Sequence, residues 1–294
     1  MGPAQAHLND VARRAALWDD MAATKRDYAA VAHAIREFEP VTMAVRPQDY
    51  VQARAMLDAD IAVMEAAIDD SWARDAGPVF VTHPDGSRAA ATFRFNAWGG
   101  KYLPFDGDAA FGGLAAGRAG VRQFTSQLIA EGGGISVDGE GTVITTDTCF
   151  PNKNRNPDWS KPAIEAELKE MLGANKVIWL PGNPLEDVTD GHTDGIAIFV
   201  APGVVLMESP ADLSTEWNRY LQANIDAMEG QTDANGRRIR IVTMLPMVWP
   251  LVIVQATTDV GFVILSASGL SFLGLGAQSP TPEWGVMIFD SLTH

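Results

Sequence analysis

Cysteine is nearly absent from the 294-residue sequence, in which Cys149 is the single example. One cysteine can form neither an internal disulfide nor a cysteine-rich metal site, and it fits a reducing cytosol. Residues 1–14 also lack the apolar run of a signal peptide or an N-terminal anchor. We therefore expect a cytoplasmic location.

Positive charge is scarce as well, because 22 Lys and Arg residues face 37 Asp and Glu residues and the formal net charge is -15. Nucleic acid binding draws its affinity from Lys and Arg that neutralise phosphates, so no nucleic acid partner is expected. A small cationic substrate is compatible with the negative electrostatic field of such a protein, although an acidic surface can also serve only to keep a protein soluble. The composition leaves homo-oligomerisation open.

Helical and strand patterns alternate along most of the chain, which predicts an α/β fold. With 47% hydrophobic residues, the chain can bury the core of one large or two ordinary domains. Ser160 is a plausible N-cap with Pro162 in the first helical turn. Predicted helices are 19–37, 48–56 and 161–172, and predicted strands are 41–45, 177–180, 196–200 and 204–207. No exact internal repeat is visible.

The end of the chain differs in composition, since no Lys or Arg follows Arg240 and residues 260–282 carry no charge. That stretch is long enough to span a bilayer, but its four glycines disfavour a simple spanning helix. Residues 245–288 resemble the permease subunit of oligopeptide and dipeptide ABC transporters. We predict a boundary between residues 1–240 and an apolar, permease-like tail at 241–294, and membrane association of the tail is not favoured.

Three clusters join carboxylates to glycines or turns, at residues 69–78, 131–134 and 190–194. On a strand, His192 and Asp194 would point to one face because alternate residues share a side. Histidine suits proton transfer near neutral pH, and a carboxylate matches a guanidinium through two parallel hydrogen bonds, so the pair favours an arginine-like substrate. Each cluster taken alone also fits a structural turn. The other four histidines have no zinc-like spacing, and neither a metal site nor a cofactor is predicted.

Five segments resemble, in order, successive motifs of agmatine deiminases, in the agmatine and peptidylarginine deiminase family. They are residues 69–78, 95–102, 131–139, 152–157 and 189–194, and the resemblance covers about residues 15–240. It implies the pentein fold, an α/β propeller of five modules around a central tunnel. It also implies hydrolysis of agmatine to N-carbamoylputrescine and ammonia, in putrescine biosynthesis.

The resemblance implies roles for individual residues. Asp75 and Asp194 would clamp the guanidinium of the substrate, and Trp72 would line the pocket. Glu131 would assist orientation beside His192, which would be the general acid and base.

The nucleophile is the part that does not match. A guanidinium carbon is deactivated by delocalised charge, and the family attacks it with a cysteine thiolate near the C-terminus. This sequence has no cysteine after Cys149, which the resemblance places at a structural strand end. We therefore expect an incomplete propeller, its last module replaced by the apolar tail, and an impaired activity. Three alternatives stay open: a non-catalytic guanidinium-binding protein or fusion product, a peptidyl-arginine deiminase, and a membrane-associated permease remnant.

Overall fold

The computed structural model describes residues 21–244, so predictions that fall on 1–20 and 245–294, including the permease-like tail, lie outside the described residues. The chain divides into two compact units, whose described parts are residues 21–65 and 66–244. Among the described residues, no helix has both the length and the apolar character needed to cross a bilayer.

The first unit is a small parallel β-α-β arrangement that follows an N-terminal helix. Its elements are α1 (Met21–Ile35), β1 (Thr42–Val45), α2 (Tyr50–Met56) and β2 (Ala62–Glu65). Strands β1 and β2 pair in parallel. Ala32 and Ile61 lie in its buried cluster. The predicted helices and strand in this region are confirmed, with slightly shorter bounds.

The second unit repeats one topology three times. Each module is an antiparallel hairpin, a helix, and a third strand parallel to the second hairpin strand. The first module contains β3 (Val79–Thr82), β4 (Arg88–Arg94), α5 (Asp106–Ala119) and β5 (Arg122–Ile129); the second contains β6 (Ser136–Val137), β7 (Thr142–Thr146), α6 (Lys161–Leu172) and β8 (Lys176–Leu180); the third contains β9 (Ala197–Ala201), β10 (Val204–Glu208), α7 (Glu216–Met228) and β11 (Arg240–Met244). Two short helical turns, α3 (Ala73–Ala76) and α4 (Ala97–Gly100), precede α5.

Helix α6 shows how local chemistry sets these elements. The Ser160 hydroxyl accepts a hydrogen bond from the Ala163 amide, Pro162 occupies the first turn, and the helix ends at Gly173 with φ 64°. Capping satisfies an amide that has no partner within the helix, and glycine adopts the left-handed ending without strain. Ile164 and Leu168, four residues apart, are fully buried on one face. The prediction for 161–172 is therefore confirmed.

Two of the buried clusters in the second unit join neighbouring modules. One contains Leu128, Ile164 and Leu168, and the other contains Val205 and Ile225. The first cluster joins β5 of the first module to the second module, and the other joins β7 and β8 to the third module. Each removes apolar side chains from water, which is the main favourable contribution to folding. The expected mixed α/β class is confirmed.

The prediction that His192 and Asp194 share a strand face is wrong. A 3-10 turn spans Thr193–Gly195, and β9 begins only at Ala197. Asp190 and Gly191 both have positive φ values, 59° and 80°, which reverse the chain just before His192. The Thr193 hydroxyl then donates to the Ala197 carbonyl and fixes the turn.

Candidate active site

Four acidic or basic side chains converge from the segments that lead into the three modules. Asp75 lies on α3, before β3. Glu131 precedes the Gly132–Gly134 turn before β6, and His192 and Asp194 belong to the turn before β9. The repeated topology therefore brings equivalent connections together, although the residues are far apart in sequence.

Gly133 marks the point where three of these groups meet. A β-carbon built at this position would lie 2.8 Å from Asp75 Oδ1 and 2.8 Å from Asp194 Oδ2, and closer still to His192 Nδ1. The Gly133 amide also donates to Asp75 Oδ1 at 2.8 Å. Glycine is required here because only a residue without a side chain lets the backbone approach all three groups.

The neighbouring glycines, Gly132 and Gly134, also occupy positions that leave no room for a side chain. A β-carbon at Gly132 would collide with the Arg74 carbonyl, and one at Gly134 would lie 2.5 Å from the Phe150 ring. The run of three glycines is therefore a packed turn whose backbone forms one wall of the site.

The His192 imidazole stands between two carboxylates. Its Nδ1 lies 3.9 Å from Asp75 Oδ1, and its Nε2 lies 3.6 Å from Glu131 Oε2. His192 is 5% exposed and Glu131 is fully buried. The Nε2 atom is buried without a hydrogen-bond partner in the described part of the chain. The ring is thus held by charge and packing, with one nitrogen facing Asp75 and the other facing Glu131.

Arg155 holds Glu131 in place. Its Nε donates to Glu131 Oε1 at 2.8 Å and to Oε2 at 3.1 Å, and its guanidinium also reaches the Thr189 carbonyl and the Asp190 carboxylate. Burial alone would raise the pKa of Glu131, but His192 and Arg155 outweigh that effect and hold it below its ordinary value. Glu131 is therefore an ionised acceptor behind the histidine.

The charge of His192 follows from the same neighbours. Burial alone would lower the pKa of His192, but contacts with Cys149, Glu131 and Asp75 outweigh it, and the pKa lies well above its ordinary value. The imidazole is thus favoured in its protonated form, which can give a proton to a leaving group.

The pKa of Asp194 is shifted in the opposite direction to the pKa of Glu131. The residue as a whole is exposed, yet protein atoms crowd its carboxylate and displace water. This desolvation raises the pKa of Asp194; the charge of His192 opposes the shift, and the charge of Asp75 adds to it. A bound cation would relieve this penalty, because it would neutralise two carboxylates that face one imidazole.

Trp98 is a site residue that the sequence interpretation did not single out. Its indole Nε1 donates to Asp75 Oδ2 at 2.9 Å. Ala97 and Trp98 both have positive φ values, 56° and 53°, so the α4 turn is unusual for non-glycine residues. The predicted pocket residue, Trp72, packs in the same aromatic cluster as Trp98. The Asn-Ala-Trp-Gly-Gly motif was visible in the sequence, but its contact with Asp75 was not.

Arg155 was missed for a similar reason. It belongs to the Asn-Arg-Asn-Pro motif at 154–157, but nothing in the spacing of that motif shows that its guanidinium meets Glu131. Its side chain is fully buried, and a buried arginine needs an acidic partner. That rule could have suggested the pairing once burial was known.

Cys149 lies beside this cluster, in the turn that follows β7. Its Sγ is 4.0 Å from Glu131 Oε2 and 3.8 Å from the Thr189 carbonyl, and the side chain is fully buried. It shares Glu131 Oε2 with His192 Nε2, whereas Asp75 Oδ1 faces His192 Nδ1 and Asp194 Oδ2 lies near both at Gly133. Burial raises the pKa of the Cys149 thiol. Cys149 is therefore placed behind the histidine and not beside Asp75 and Asp194.

Comparison with known proteins identifies the family. The model of the family described as Porphyromonas-type peptidyl-arginine deiminase matches residues 8–273, and so continues past Arg240 into the region predicted as a tail. Agmatine deiminase of Pseudomonas fluorescens is 42% identical over 236 residues, which are 78% of this chain and 64% of that protein. Agmatine deiminase of Ectopseudomonas mendocina is 41% identical over 230 residues, 76% of this chain and 62% of that protein.

A solved structure agrees with these relatives. The agmatine deiminase of Enterococcus faecalis superposes with a TM-score of 0.70 at 34% identity, over 74% of this chain and 61% of that one. The chain thus spans less than two thirds of the length of each relative it matches here. It belongs to the Porphyromonas-type peptidyl-arginine deiminase family.

Proposed function

We propose that the site binds the guanidinium of agmatine and carries the proton-transfer part of its hydrolysis to N-carbamoylputrescine and ammonia. The observation that carries this proposal is the convergence of Asp75 Oδ1, Asp194 Oδ2 and His192 Nδ1 on Gly133. Two carboxylates can hold a planar cation through charge-assisted hydrogen bonds while the imidazole lies within reach of its nitrogens. The names of the relatives in Pseudomonas and Enterococcus supply the substrate.

Each group has one task in this scheme. Asp75 and Asp194 fix the guanidinium, which is positioning work. His192 protonates the departing ammonia from Nδ1 and then takes a proton from the attacking water. Glu131, held by Arg155, keeps the imidazole charged and oriented. Trp98 orients Asp75, and Trp72 lines the pocket through the aromatic cluster that it shares with Trp98.

Attack on the guanidinium carbon needs a cysteine thiolate, and Cys149 is poorly placed to supply it. Its sulfur faces Glu131 on the Nε2 side of the ring, and burial disfavours the reactive thiolate. We propose that this 294-residue chain binds agmatine but turns it over slowly. Loss of the nucleophile in a hydrolase triad costs on the order of 10⁶-fold in kcat.

The finer fold assignment is part of the same proposal. Three modules of equal topology, each delivering side chains from its leading connection to one place, support a pentein propeller. The boundary between a deiminase portion at 1–240 and an apolar tail at 241–294 stays a prediction, which strand β11 (Arg240–Met244) and the family match over residues 8–273 both cross. Cytoplasmic location likewise stays a prediction.

Calorimetry with agmatine and an ammonia-release assay on the purified chain test the proposal. We expect binding, with turnover far below that of an intact deiminase. Asp75→Asn should weaken binding at least about 30-fold, because removing one partner of a buried charge pair costs 2 kcal/mol or more. The control is Asp85→Asn, since Asp85 is an exposed residue of the β3–β4 turn and should leave binding unchanged.

The alternatives give different results in the same assays. Absence of agmatine binding would refute the proposed function. Robust turnover that survives Cys149→Ala would show that another residue is the nucleophile, and turnover abolished by Cys149→Ala would assign that role to Cys149. The name of the family model favours a second candidate, peptidyl-arginine, which an arginine-containing peptide assayed in parallel would reveal.

A further inference from the structure

Glu131, Cys149 and His192 form a set of three potential metal ligands. One carboxylate oxygen, the thiol sulfur and one imidazole nitrogen all lie within 4.8 Å of one another, and all three residues are buried. Glu131 Oε2 is 3.6 Å from His192 Nε2 and 4.0 Å from Cys149 Sγ. A tetrahedral zinc ion with bonds of 2.0–2.3 Å separates its ligand atoms by about 3.3–3.6 Å. The Glu131–His192 distance therefore already fits, and Cys149 Sγ would have to approach Glu131 Oε2 by about 0.5 Å and His192 Nε2 by at most about 1.3 Å.

The imidazole supplies a second and independent indication. His192 is 95% buried, since only 5% of it is exposed, yet its Nε2 has no hydrogen-bond partner among the described residues. This atom points at the space shared with Glu131 Oε2. A buried polar atom without a partner is costly, and a bound cation would satisfy it.

The surroundings resemble the outer shell of a metal site. Metal-binding histidines usually turn their other nitrogen towards a carboxylate, and His192 Nδ1 faces Asp75 Oδ1 at 3.9 Å. Ligating carboxylates are usually hydrogen-bonded in turn, and Arg155 Nε donates to both oxygens of Glu131. Two of the three ligands, His192 and Glu131, thus already have partners that orient them.

The charges also balance. A divalent cation would be neutralised by the Glu131 carboxylate and the Cys149 thiolate, while His192 binds in its neutral form. Arg155 would keep a second anionic partner, because its guanidinium also bonds Asp190. Binding would release the thiol proton, and the imidazolium proton where one is present, to the buffer.

We propose that Glu131, Cys149 and His192 bind one zinc-class divalent cation and that this cation inhibits proton transfer by His192. Zinc accepts carboxylate, thiolate and imidazole ligands together, which harder ions such as Mg²⁺ do not. The ion would occupy Nε2 and detach the ring from Glu131. The sequence did not indicate the site because its ligands come from three separate connections, at 131, 149 and 192.

Cobalt(II) titration of the reduced, metal-free chain provides a direct test. We expect one equivalent of Co²⁺ to produce a thiolate-to-cobalt charge-transfer band, which Zn²⁺ then abolishes by displacement. Since Cys149 is the chain's single cysteine, the band in the unmodified protein can arise from no other residue. Its absence at stoichiometric binding would overturn the proposal without any variant being needed.

Variants then define the ligand set. Cys149→Ser should remove the band and weaken Zn²⁺ affinity, and Asp75→Asn should weaken it about 10-fold, the lower end for outer-shell carboxylates. The control is His83→Ala, which removes an exposed pair in which His83 Nδ1 lies 3.0 Å from Asp85 Oδ1. Unchanged Zn²⁺ affinity in Cys149→Ser, or affinity lost in His83→Ala, would assign the ion to the surface instead.

Metal binding by Glu131, Cys149 and His192 is argued from their geometry alone, whereas inhibition of proton transfer by His192 rests on the proposed function. Metal binding is read by absorbance and agmatine binding by heat. Agmatine binding without a cobalt band would refute only the metal site, and a band without agmatine binding would refute only the deiminase chemistry.

Discussion

Asp75 and Asp194 lie near the same imidazole, that of His192, but in different surroundings. Asp75 is buried and accepts hydrogen bonds from the Gly133 amide and the Trp98 indole. Asp194 instead has a raised pKa, because protein atoms displace water from its carboxylate, and the nearby charge of Asp75 adds to this effect. The free protein therefore keeps Asp194 ionised at a cost, which a bound cation would offset.

This cost predicts the effect of Asp194→Asn on stability. With a folded-state pKa above the ordinary value near 3.9, ionisation of Asp194 opposes folding at every pH above the folded pKa. The opposition fades as the pH falls through the folded pKa and is gone below the ordinary one. We expect Asp194→Asn to raise the free energy of unfolding at pH 7, by an amount that shrinks to zero near pH 3, in urea titrations across that range. The same variant should weaken agmatine binding.

Asp85→Asn provides a control for which the expected change in stability at pH 7 has the opposite sign. Hydrogen bonds from Ser87 hold the pKa of Asp85 below its ordinary value, so its contribution to stability is present above the ordinary pKa and is lost as the pH falls through the folded one. Asp85→Asn should therefore lower stability at pH 7. If Asp194→Asn also lowered it there, the desolvation argument for Asp194 would be wrong.

At the residue scale, motifs could identify side chains with chemical potential but not their contacts. Asp75, Glu131, His192 and Asp194 were predicted together and do lie together, while their catalytic and substrate-binding roles stay predictions. The missed contacts depend on folding, since Arg155 meets Glu131 only across two connections. Such pairings follow from tertiary packing and not from spacing along the chain.

At the scale of elements, the loop before His192 is organised by one carboxylate. Glu186 accepts hydrogen bonds from the amides of Val188, Thr189 and Gly191 and from the Thr189 hydroxyl. Burial alone would raise the pKa of Glu186, but these donors outweigh it and lower the pKa. The Thr189 hydroxyl in turn accepts from the His192 amide at 3.1 Å. Glu186 thereby positions the imidazole from a distance.

We predict that Glu186→Ala loosens this loop. A hydrogen bond to a charged group contributes about 1.5–3 kcal/mol, so its loss should speed hydrogen exchange at the Thr189 and Gly191 amides about 10- to 150-fold. Agmatine binding should weaken because His192 loses its fixed position. Glu170→Ala, at an exposed position on α6, should change neither measurement. Unchanged exchange in Glu186→Ala would show that the backbone holds the loop without the carboxylate.

Elements with strong local signals were predictable, and the site turns were not. The cap, the proline and the apolar spacing of 161–172 all agree with α6, so local chemistry determined the helix. Residues 190–194 have the composition of a turn, yet the alternation of His192 and Asp194 suggested a strand. The positive φ values at Asp190 and Gly191 make this segment a turn and not a strand. Of these two residue types, glycine is the one whose presence in a sequence usually indicates a positive φ.

For the whole of the second unit, the repeated topology is a feature that no internal sequence repeat indicated and that only the family resemblance implied. The three modules share strand order and direction but not sequence, because many residues can fill the same alternating buried positions. Helices α5, α6 and α7 follow the middle strands of their sheets, because a connection between parallel strands needs a segment of about helix length. Function then depends on the connections, which differ between modules.

Two separate buried clusters in the second unit predict additive core mutations. Leu168 is fully buried in the cluster with Leu128, whereas Ile225 packs in the cluster with Val205. Leu168→Ala should cost about 2–5 kcal/mol and Ile225→Val about 0.5–1.5 kcal/mol in the free energy of unfolding, from urea titrations. The double variant should cost their sum within about 0.5 kcal/mol, because the two residues share no cluster. Leu168→Ala with Ile164→Val provides the contrast, since both residues lie in one cluster and should deviate from additivity. If the first pair deviated as strongly as the second, the two clusters would behave as one core, and a packing change in either would be felt in the other.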